Sequence, residues 1–180
     1  AGQIYIKDRL INVTNPQVAI KNGIGMVHQH FMLVPSFTAA ENVVLGNEPR
    51  KNAVIMDFDE AVSITQALSE KYGLYVEPLQ KVEDLSVGIQ QRIEILKVLY
   101  RGADILILDE PTAVLTPQET QELFAIMRRL VSEMGKTIII ITHKLQEVLE
   151  VSHRVSVMRR GKLVDTMDTK DATEQILAEM

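Results

Sequence analysis

Four aliphatic residues followed by two acids, at positions 105–110, constrain the fold of this chain more than any other feature. A continuous aliphatic run is typical of a parallel strand that is covered on both faces. In open α/β sheets, ligands bind outside the carboxyl ends of such strands. The run therefore predicts an α/β protein in which Asp109 and Glu110 lie at the ligand-binding edge of a buried sheet. Two adjacent acids at that edge suit Mg²⁺ binding and the activation of a water molecule.

Periodicity and capping signals predict alternating strands and helices along the rest of the chain. Strands are expected at residues 3–7, 24–28, 104–108 and 137–142, the last of these buried, with a hairpin formed by residues 153–159 and 162–167. Helices are expected from Asn15 to Gly23, Thr38 to Gly46, Asp57 to Tyr72, Ser86 to Arg101, Thr116 to Gly135, Lys144 to Glu150, and onward from Asp171. Alternation of this kind indicates a parallel sheet with right-handed crossovers.

Composition excludes several classes of protein. A net charge of −5 gives no electrostatic reason to expect nucleic acid as a ligand. The chain has no cysteine, which excludes a disulfide scaffold and fits a reducing compartment. No apolar run approaches the roughly 20 residues of a membrane span, and the start does not resemble a signal peptide. Because the first residue is not Met, the chain is expected to be a fragment.

The two acids are the strongest candidates for chemistry. We expect Asp109 to hold Mg²⁺ through a water molecule and Glu110 to act as general base on an attacking water. The alternative is that both acids only cap the turn into Pro111. That alternative is disfavoured, because adjacent carboxylates are costly to place at a buried strand end unless a cation or water uses them.

Two further polar residues follow predicted strands, and each has a structural alternative. Gln29 comes after the strand at 24–28 and could bring its amide near Mg²⁺ or the water. His143 follows the strand at 137–142, where a structural role and a functional role are about equally expected. His28 and His30 share a face, but two ligands without a third make a poor metal site, so both are interpreted as structural.

The start of the helix at Ser86 is a candidate anion site. Helix N-termini bind anions through free N–H groups and the helix dipole, and Gly88 leaves room for a phosphate to approach. An ordinary N-cap explains these residues equally well. Gly135-Lys136-Thr137 resembles the end of a phosphate-binding loop, but it stands between a helix and a strand rather than before a helix. It is therefore interpreted as a helix terminator, and the sequence contains no GxxxxGK[S/T] motif.

Taken together, these segments resemble the ATPase subunit of ATP-binding cassette (ABC) transporters. Gln29 matches the Q-loop of that family, residues 85–91 its signature, residues 105–110 its Walker B strand and catalytic Glu, and His143 its switch histidine. The resemblance implies an α/β fold of the P-loop NTPase type, a mostly parallel sheet with flanking helices. Residues 1–37 and 85–180 would form an incomplete RecA-like core, with a C-terminal hairpin and helix, that lacks the N-terminal strands and the P-loop helix.

The same resemblance implies a helical subdomain over residues 38–84, which would contact a membrane permease. Residues 25–31 and 109–117 are similar to importers of simple sugars and nucleosides, whose ATPase often carries two cassettes. Val87 and Ile89 depart from the usual signature, and Thr116 stands where many relatives have the D-loop Asp. These departures bear on how the chain signals to an opposite nucleotide site.

The functional residues implied by the resemblance form two groups. In the first group, Glu110, His143 and Gln29 are catalytic, and Asp109 and Gln29 bind Mg²⁺.

The second group comprises signature residues Ser86, Gly88 and Gln90, which would bind ATP held by the opposite cassette. The implied cofactors are ATP and Mg²⁺. The implied partners are a second cassette, transmembrane permease subunits and, indirectly, an extracytoplasmic solute-binding protein, with no nucleic acid. The chain would lie peripherally on the cytoplasmic face of a bacterial membrane.

The expected lack of the N-terminal strands and the P-loop helix has two consequences. This chain alone should be inactive, because the acids have no cradled triphosphate to act on. Loss of the preceding strands and helix should also expose apolar sheet surface. Three alternatives remain open: a DNA-repair relative, a translation-associated cassette, and a naturally shortened cassette that serves as an interaction domain. The first is disfavoured because about 55 residues without heptads separate the Q-loop from the signature.

Overall fold

The computed structural model describes residues 2–52 and 55–180. Ala1, Ala53 and Val54, which fall within the predicted core and helical subdomain, lie outside the described residues. The chain divides into two compact units, residues 1–140 and residues 141–180. In the described ranges, no helix combines the length and the apolarity that a bilayer crossing requires.

The first unit contains five strands and five helices among its described residues. The strands are β1 (Ile4–Ile6), β2 (Arg9–Ile11), β3 (Ile24–Val27), β4 (Ile105–Asp109) and β5 (Thr137–Ile141), the last ending at the unit boundary. The helices are α1 (Pro16–Lys21), α2 (Ala39–Val44), α3 (Phe58–Tyr72), α4 (Val87–Tyr100) and α5 (Pro117–Ser132), with a short 3₁₀ turn at Val82–Asp84.

A three-stranded sheet of order β3-β4-β5 forms the centre of the first unit. Strands β3 and β4 run parallel, with Gly25 level with Leu106 and Val27 level with Leu108. Side chains that are level on neighbouring strands share a face, and Val27, Leu106 and Leu108 are all buried. The predicted parallel arrangement of these strands is therefore confirmed.

Helix α4 packs closely against the buried face of this sheet. A Cβ atom at Gly25 would overlap Cγ1 of Val98 and lie 3.1 Å from Cβ of Ala103. Glycine at this position therefore allows the helix to approach the strand. Residues 93–99 of the helix are all buried, so α4 is enclosed by the rest of the unit rather than lying on its surface.

The other face of the sheet is open. Met26 is 37% exposed and Ile139 49% exposed. In the aliphatic run at 105–108, Leu106 and Leu108 are buried, whereas the two isoleucines are partly exposed. The prediction that β5 is buried was therefore wrong, because its residues alternate between exposed and partly exposed. The expected exposure of apolar sheet surface is confirmed.

Local capping signals placed most helix starts correctly. Thr38 with Glu41 and Thr116 with Glu119 form complete capping boxes at α2 and α5. Asn15, Asp57 and Ser86 accept backbone N–H groups at the starts of α1, α3 and α4, and left-handed Gly73 ends α3. These boundaries depend on contacts within one helical turn, which explains why the sequence pattern was sufficient.

The sequence pattern missed one strand. β2 pairs with β1 in an antiparallel hairpin whose turn residues, Lys7 and Asp8, have φ angles of +49° and +61°. Tight hairpin turns of this kind usually contain glycine or asparagine because both central residues are left-handed. Lysine carries no such signal, so the turn could not be recognised.

The helical region packs around α2. Helix α2 contacts both α3 and α4. Its core is built from small and aliphatic side chains that are inaccessible to solvent, namely Ala39, Ala40, Val43, Val44, Ala61 and Leu74. The assignment of residues 38–84 to a separate subdomain remains a prediction.

The second unit contains α6 (Leu145–Val151), the antiparallel hairpin of β6 (Arg154–Arg159) and β7 (Lys162–Asp168), and α7 (Glu174–Glu179). The hairpin turns at Arg160-Gly161, as predicted. The start predicted for the last helix, Asp171, was wrong. Asp171 ends a 3₁₀ turn at Thr169–Asp171, and the hydroxyl of Thr173 caps α7 instead.

Candidate functional site

The two predicted acids stand where β4 leaves the sheet. Asp109 is the last residue of the strand, and Glu110 has a φ angle of +46°, in the left-handed region. The N–H of Ala113 donates to the carbonyl of Glu110 at 3.1 Å, which closes a turn. Thr112 within that turn is completely buried. A left-handed conformation is costly for a residue other than glycine, and such residues concentrate at functional sites.

Gln29 occupies a matching position after the neighbouring strand. Val27 is level with Leu108, and each of Gln29 and Glu110 follows two residues later. The carboxyl ends of both strands therefore meet at one edge of the sheet, as predicted. Gln29 is exposed, whereas the Oε2 atom of Glu110 is buried from solvent.

The oxygen atoms at this edge fit a Mg²⁺ ion that is shared with phosphate. Among the described residues, no group of three or more His, Cys, Asp or Glu side chains is arranged to hold a metal ion. Mg²⁺ commonly takes one or two protein oxygens and completes its shell with water and substrate phosphates. Asp109 at the end of β4 and Gln29 after β3 carry oxygens of the kind that Mg²⁺ takes, so these two residues could hold a metal that arrives with a nucleotide.

Gly88, in the first turn of α4, makes a contact that the sequence did not reveal. Its N–H donates to Oε1 of Glu119 at 3.2 Å, and a Cβ atom at position 88 would lie 2.6 Å from that oxygen. The other oxygen of Glu119 accepts from the N–H of Thr116 at 3.0 Å. The backbone N–H of Thr116 is the main cause that lowers the pKa of Glu119. One carboxylate therefore closes the capping box of α5 and also binds the start of α4.

The remaining signature residues hold the entrance to α4. Ser86 caps the helix, with Oγ accepting from the N–H of Ile89 at 3.4 Å. The side-chain amide of Gln90 donates to the carbonyls of Leu85 at 3.0 Å and Val82 at 3.3 Å. Gln90 therefore braces the loop that precedes the helix, and its contact with nucleotide remains a prediction.

The segment after Gln29 is held by buried side chains that sequence reasoning missed. Glu94 accepts from the N–H of Met32 at 2.7 Å, and Lys97 donates to the carbonyl of Met32 at 2.8 Å. Burial is the main cause that raises the pKa of Glu94, and burial likewise lowers the pKa of Lys97. The charge of each residue partly opposes the shift of the other. Charged residues three positions apart on a helix are ordinarily expected at the surface, so the sequence carried no signal that identified this pair.

His143 lies in the second unit, two residues beyond the end of β5, and it is exposed. The hydroxyl of neighbouring Thr142 accepts from the N–H of Lys144 at 3.1 Å. The predicted role of His143 as a phosphate sensor remains a prediction. His28 and His30, interpreted as structural, are both exposed in the first unit.

The motif resembling a phosphate loop is a helix terminator, as predicted. Gly135 has a φ angle of +62°, and the N–H of Lys136 donates to the carbonyl of Leu130 at 2.9 Å. The ammonium group of Lys136 bonds the carbonyl of Ala103 at 2.8 Å and the carboxylate of Asp104 at 3.0 Å. These groups precede β4, so the lysine is held at the end of the strand opposite the acids.

Comparison with known proteins agrees with this geometry. The family described as "ABC transporter" matches residues 1–113. The chain is 55% identical over 179 residues to the nucleoside import ATP-binding protein NupA of Lactococcus lactis subsp. cremoris (strain MG1363), covering 99% of this chain and 35% of that protein. It is 53% identical over 179 residues to the guanosine import ATP-binding protein NupO of Bacillus subtilis (strain 168), with the same coverage of 99% and 35%.

A solved structure has the same architecture. The dimeric post-hydrolysis state of the ATP-binding cassette MJ0796, bound to ADP and Pi, superposes with a TM-score of 0.73 at 26% identity. The match covers 94% of this chain and 74% of that one. The α/β fold with a parallel sheet is therefore that of an ABC ATPase cassette. The chain spans about a third, 35%, of the length of the two importer proteins that it matches.

Proposed function

This chain belongs to the ABC transporter family, and we propose that it is part of the nucleotide-binding subunit of an importer that couples ATP hydrolysis to solute uptake. The observation that carries the proposal is the strand-end arrangement, with Asp109 and Glu110 at the end of β4 and Gln29 two residues after the end of the neighbouring strand β3. Catalysis of phosphoryl transfer depends mainly on positioning and on charge neutralisation. The carboxylates and the amide at this edge can position the water molecule and hold the Mg²⁺ ion that would neutralise the phosphate charge.

We assign Glu110 to hold an attacking water and accept its proton, and Asp109 to hold Mg²⁺ through a water molecule. When bound with ATP, Mg²⁺ supplies neutralisation of phosphate charge. The left-handed backbone at Glu110 supports the first assignment, because the fold maintains that conformation at a cost. Gln29 completes the Mg²⁺ site, and Gln29 and His143 are proposed to sense the phosphate.

The signature residues are proposed to bind a nucleotide held by a second cassette. Gly88 lies in the first turn of α4, where N–H groups can bind an anion, and its N–H donates to the carboxylate of Glu119, which a phosphate would have to displace. Ser86 caps the same helix, and its side chain is exposed. We propose a supporting role for Gln90, whose amide nitrogen bonds two carbonyls of the preceding loop.

The solute and partners are part of the proposal, because the chain spans only 35% of its importer relatives. Two relatives that are more than half identical import nucleosides by name, so a nucleoside is the favoured solute over a simple sugar. Partners would be a second cassette, a transmembrane permease at the cytoplasmic face, and indirectly a solute-binding protein. Tyr75 and Leu79 of the helical region are exposed, as is Phe37 just before it, and these apolar side chains support a protein contact there.

Calorimetric titration with Mg-ATP tests the proposal. The titration compares this chain with a version extended upstream to include a GxxxxGK[S/T] loop. We expect only the extended protein to bind tightly and to hydrolyse ATP. Glu110→Gln in the extended protein should keep binding and lose about 100-fold or more of the turnover. Glu60→Gln, at an exposed position of α3, is the matched control and should change neither quantity.

Two results would contradict the proposal. The first is an extended protein that binds no Mg-ATP. The second is a Glu110→Gln variant that retains its turnover, which would remove the general base from the assignment.

A further inference from the structure

Three polar side chains outside the strand-end site are buried and directed at one short backbone segment. Glu94 is 3% exposed, Lys97 is 9% exposed and Asn42 is completely buried. Their targets are Met32 and Val34, which lie in a stretch without helix or strand. The segment begins three residues after Gln29.

The three side chains satisfy all four backbone polar groups of these two residues. Glu94 Oε1 accepts from the Met32 N–H at 2.7 Å, and Lys97 Nζ donates to the Met32 carbonyl at 2.8 Å. Asn42 Oδ1 accepts from the Val34 N–H at 2.7 Å, and its Nδ2 donates to the Val34 carbonyl at 3.0 Å. Side chains of α4 and α2 therefore satisfy the irregular backbone in the way that a neighbouring strand would.

Satisfying buried backbone groups does not require charges. Asn42 shows that a neutral amide can bond both groups of one residue. Two ions in a buried site incur a desolvation cost, which is why burial raises the pKa of Glu94 and lowers that of Lys97. Charge-assisted hydrogen bonds are shorter and stronger than neutral ones. The two charged side chains therefore hold the Met32 backbone by stronger hydrogen bonds than its satisfaction alone requires.

Gln29, the Q-loop residue, lies in a short stretch of backbone that is fixed at both of its ends. On one side, β3 ends at Val27, paired with β4 and packed on α4 through Gly25. On the other side, Met32 is bonded to the same helix. Four residues, 28–31, lie between these anchors. The position of Gln29 relative to α4, whose first turn carries the signature, is therefore restricted at both ends.

We propose that Glu94 and Lys97 are positioning residues, which clamp the backbone of Met32 and thereby hold Gln29 at a fixed place relative to the signature end of α4. The inference rests on the proposed function for its catalytic consequence, whereas the clamp itself is a property of this chain. The two parts are tested by separate measurements.

The clamp is tested by amide hydrogen exchange in this chain. Lys97→Met removes the donor to the Met32 carbonyl and leaves buried Glu94 without its cation, so the Met32 amide should exchange about tenfold faster. Lys97→Arg keeps a donor and should restore most of the protection. Ser69→Ala is the matched control, because buried Ser69 likewise bonds irregular backbone, at Leu74 and Val76. It should leave exchange at Met32 unchanged.

Positioning is tested by steady-state ATPase kinetics in the extended protein. Lys97→Met and Glu94→Gln should lower kcat about tenfold or more while KM for Mg-ATP changes less than about twofold. Glu94→Gln keeps an acceptor oxygen, and it replaces Lys97→Met in this test if Lys97→Met does not fold. Ser69→Ala should change neither constant. Lys97→Arg should recover kcat, which a general loss of stability would not predict.

Each outcome decides one part. Unchanged Met32 exchange in Lys97→Met would overturn the clamp. Faster exchange with an unchanged kcat would overturn positioning and leave the pair a purely structural one. If the extended protein with its natural residues hydrolyses no ATP, the proposed function fails, while the exchange result still decides the clamp.

Discussion

Gly25→Ala is the substitution whose effect on stability follows most directly from the packing of α4 on the sheet. The added methyl group would overlap Cγ1 of Val98 and lie 3.1 Å from Cβ of Ala103. Both neighbours belong to the enclosed interior, since Val98 is 7% exposed and Ala103 3% exposed. The methyl group therefore cannot be accommodated by turning a surface side chain, and either α4 or β3 must move.

Two opposing effects determine how much Gly25→Ala changes the free energy of unfolding. Overpacking an interior typically destabilises by about 1–3 kcal/mol. Alanine in place of glycine inside a strand gains roughly 0.5–1 kcal/mol, because the unfolded chain loses conformational freedom. We therefore expect Gly25→Ala to lower the free energy of unfolding by about 1–2 kcal/mol.

A second substitution tests whether the loss comes from this contact. Val98→Ala removes the overlapping methyl group and its twin, which should cost about 2 kcal/mol as lost burial plus cavity. In the double variant, the methyl group of residue 25 enters the space vacated at residue 98. The double variant should therefore be about 1–2 kcal/mol more stable than the sum of the single losses implies.

Urea unfolding followed by circular dichroism, with all variants in one buffer, provides these free energies. Gly2→Ala is the control, because a Cβ atom there has no neighbour within 4 Å. It should change stability by less than about 0.5 kcal/mol. An additive double variant, or a Gly25→Ala variant more stable than the parent, would refute the close packing of α4 on β3.

Two further predictions concern carboxylates. Glu119→Ala should destabilise more than Glu41→Ala, because both residues close a capping box but only Glu119 also binds the N–H of Gly88; equal losses in thermal unfolding would contradict this. The hydrogen bond from Lys136 is the main cause that lowers the pKa of Asp104. Its stabilising effect is present above the pKa of the unfolded chain, about 4, and is lost as the pH falls through the lower pKa of the folded state. Asp104→Asn should flatten the fall of stability in acid, and an unchanged acid profile would count against the bond.

Sequence patterns predicted features that depend on neighbouring residues and missed those that depend on the fold. The helix starts at Thr38 and Thr116 were predictable because a capping box lies within four residues. The edge carrying Asp109 and Glu110 was predictable because parallel strands align their carboxyl ends. The exposure of Ile139 was not predictable, because it depends on which elements cover the sheet.

Contacts between distant segments lie beyond such patterns altogether. The bond between Gly88 and Glu119 joins two helix starts, and the sequence shows each residue only in its local role. In the same way, Glu94 and Lys97 resemble surface charges on a helix until their partner, the backbone of Met32, is known. A backbone partner leaves no trace in side-chain identity, so no pattern of residue types could predict it.

Helix α4 gains its importance from these contacts rather than from its own sequence. Its first turn is bonded to α5 through Gly88, its last turns pack on β3 through Val98, and its middle bonds Met32. Because residues 93–99 are all buried, the helix cannot shift without disturbing each of these neighbours. A displacement of the segment at 32–34 would break two charge-assisted bonds together and leave two ions buried without their partners. The segment should therefore occupy either the held position or a clearly separate one, and a gradual drift of Gln29 is disfavoured.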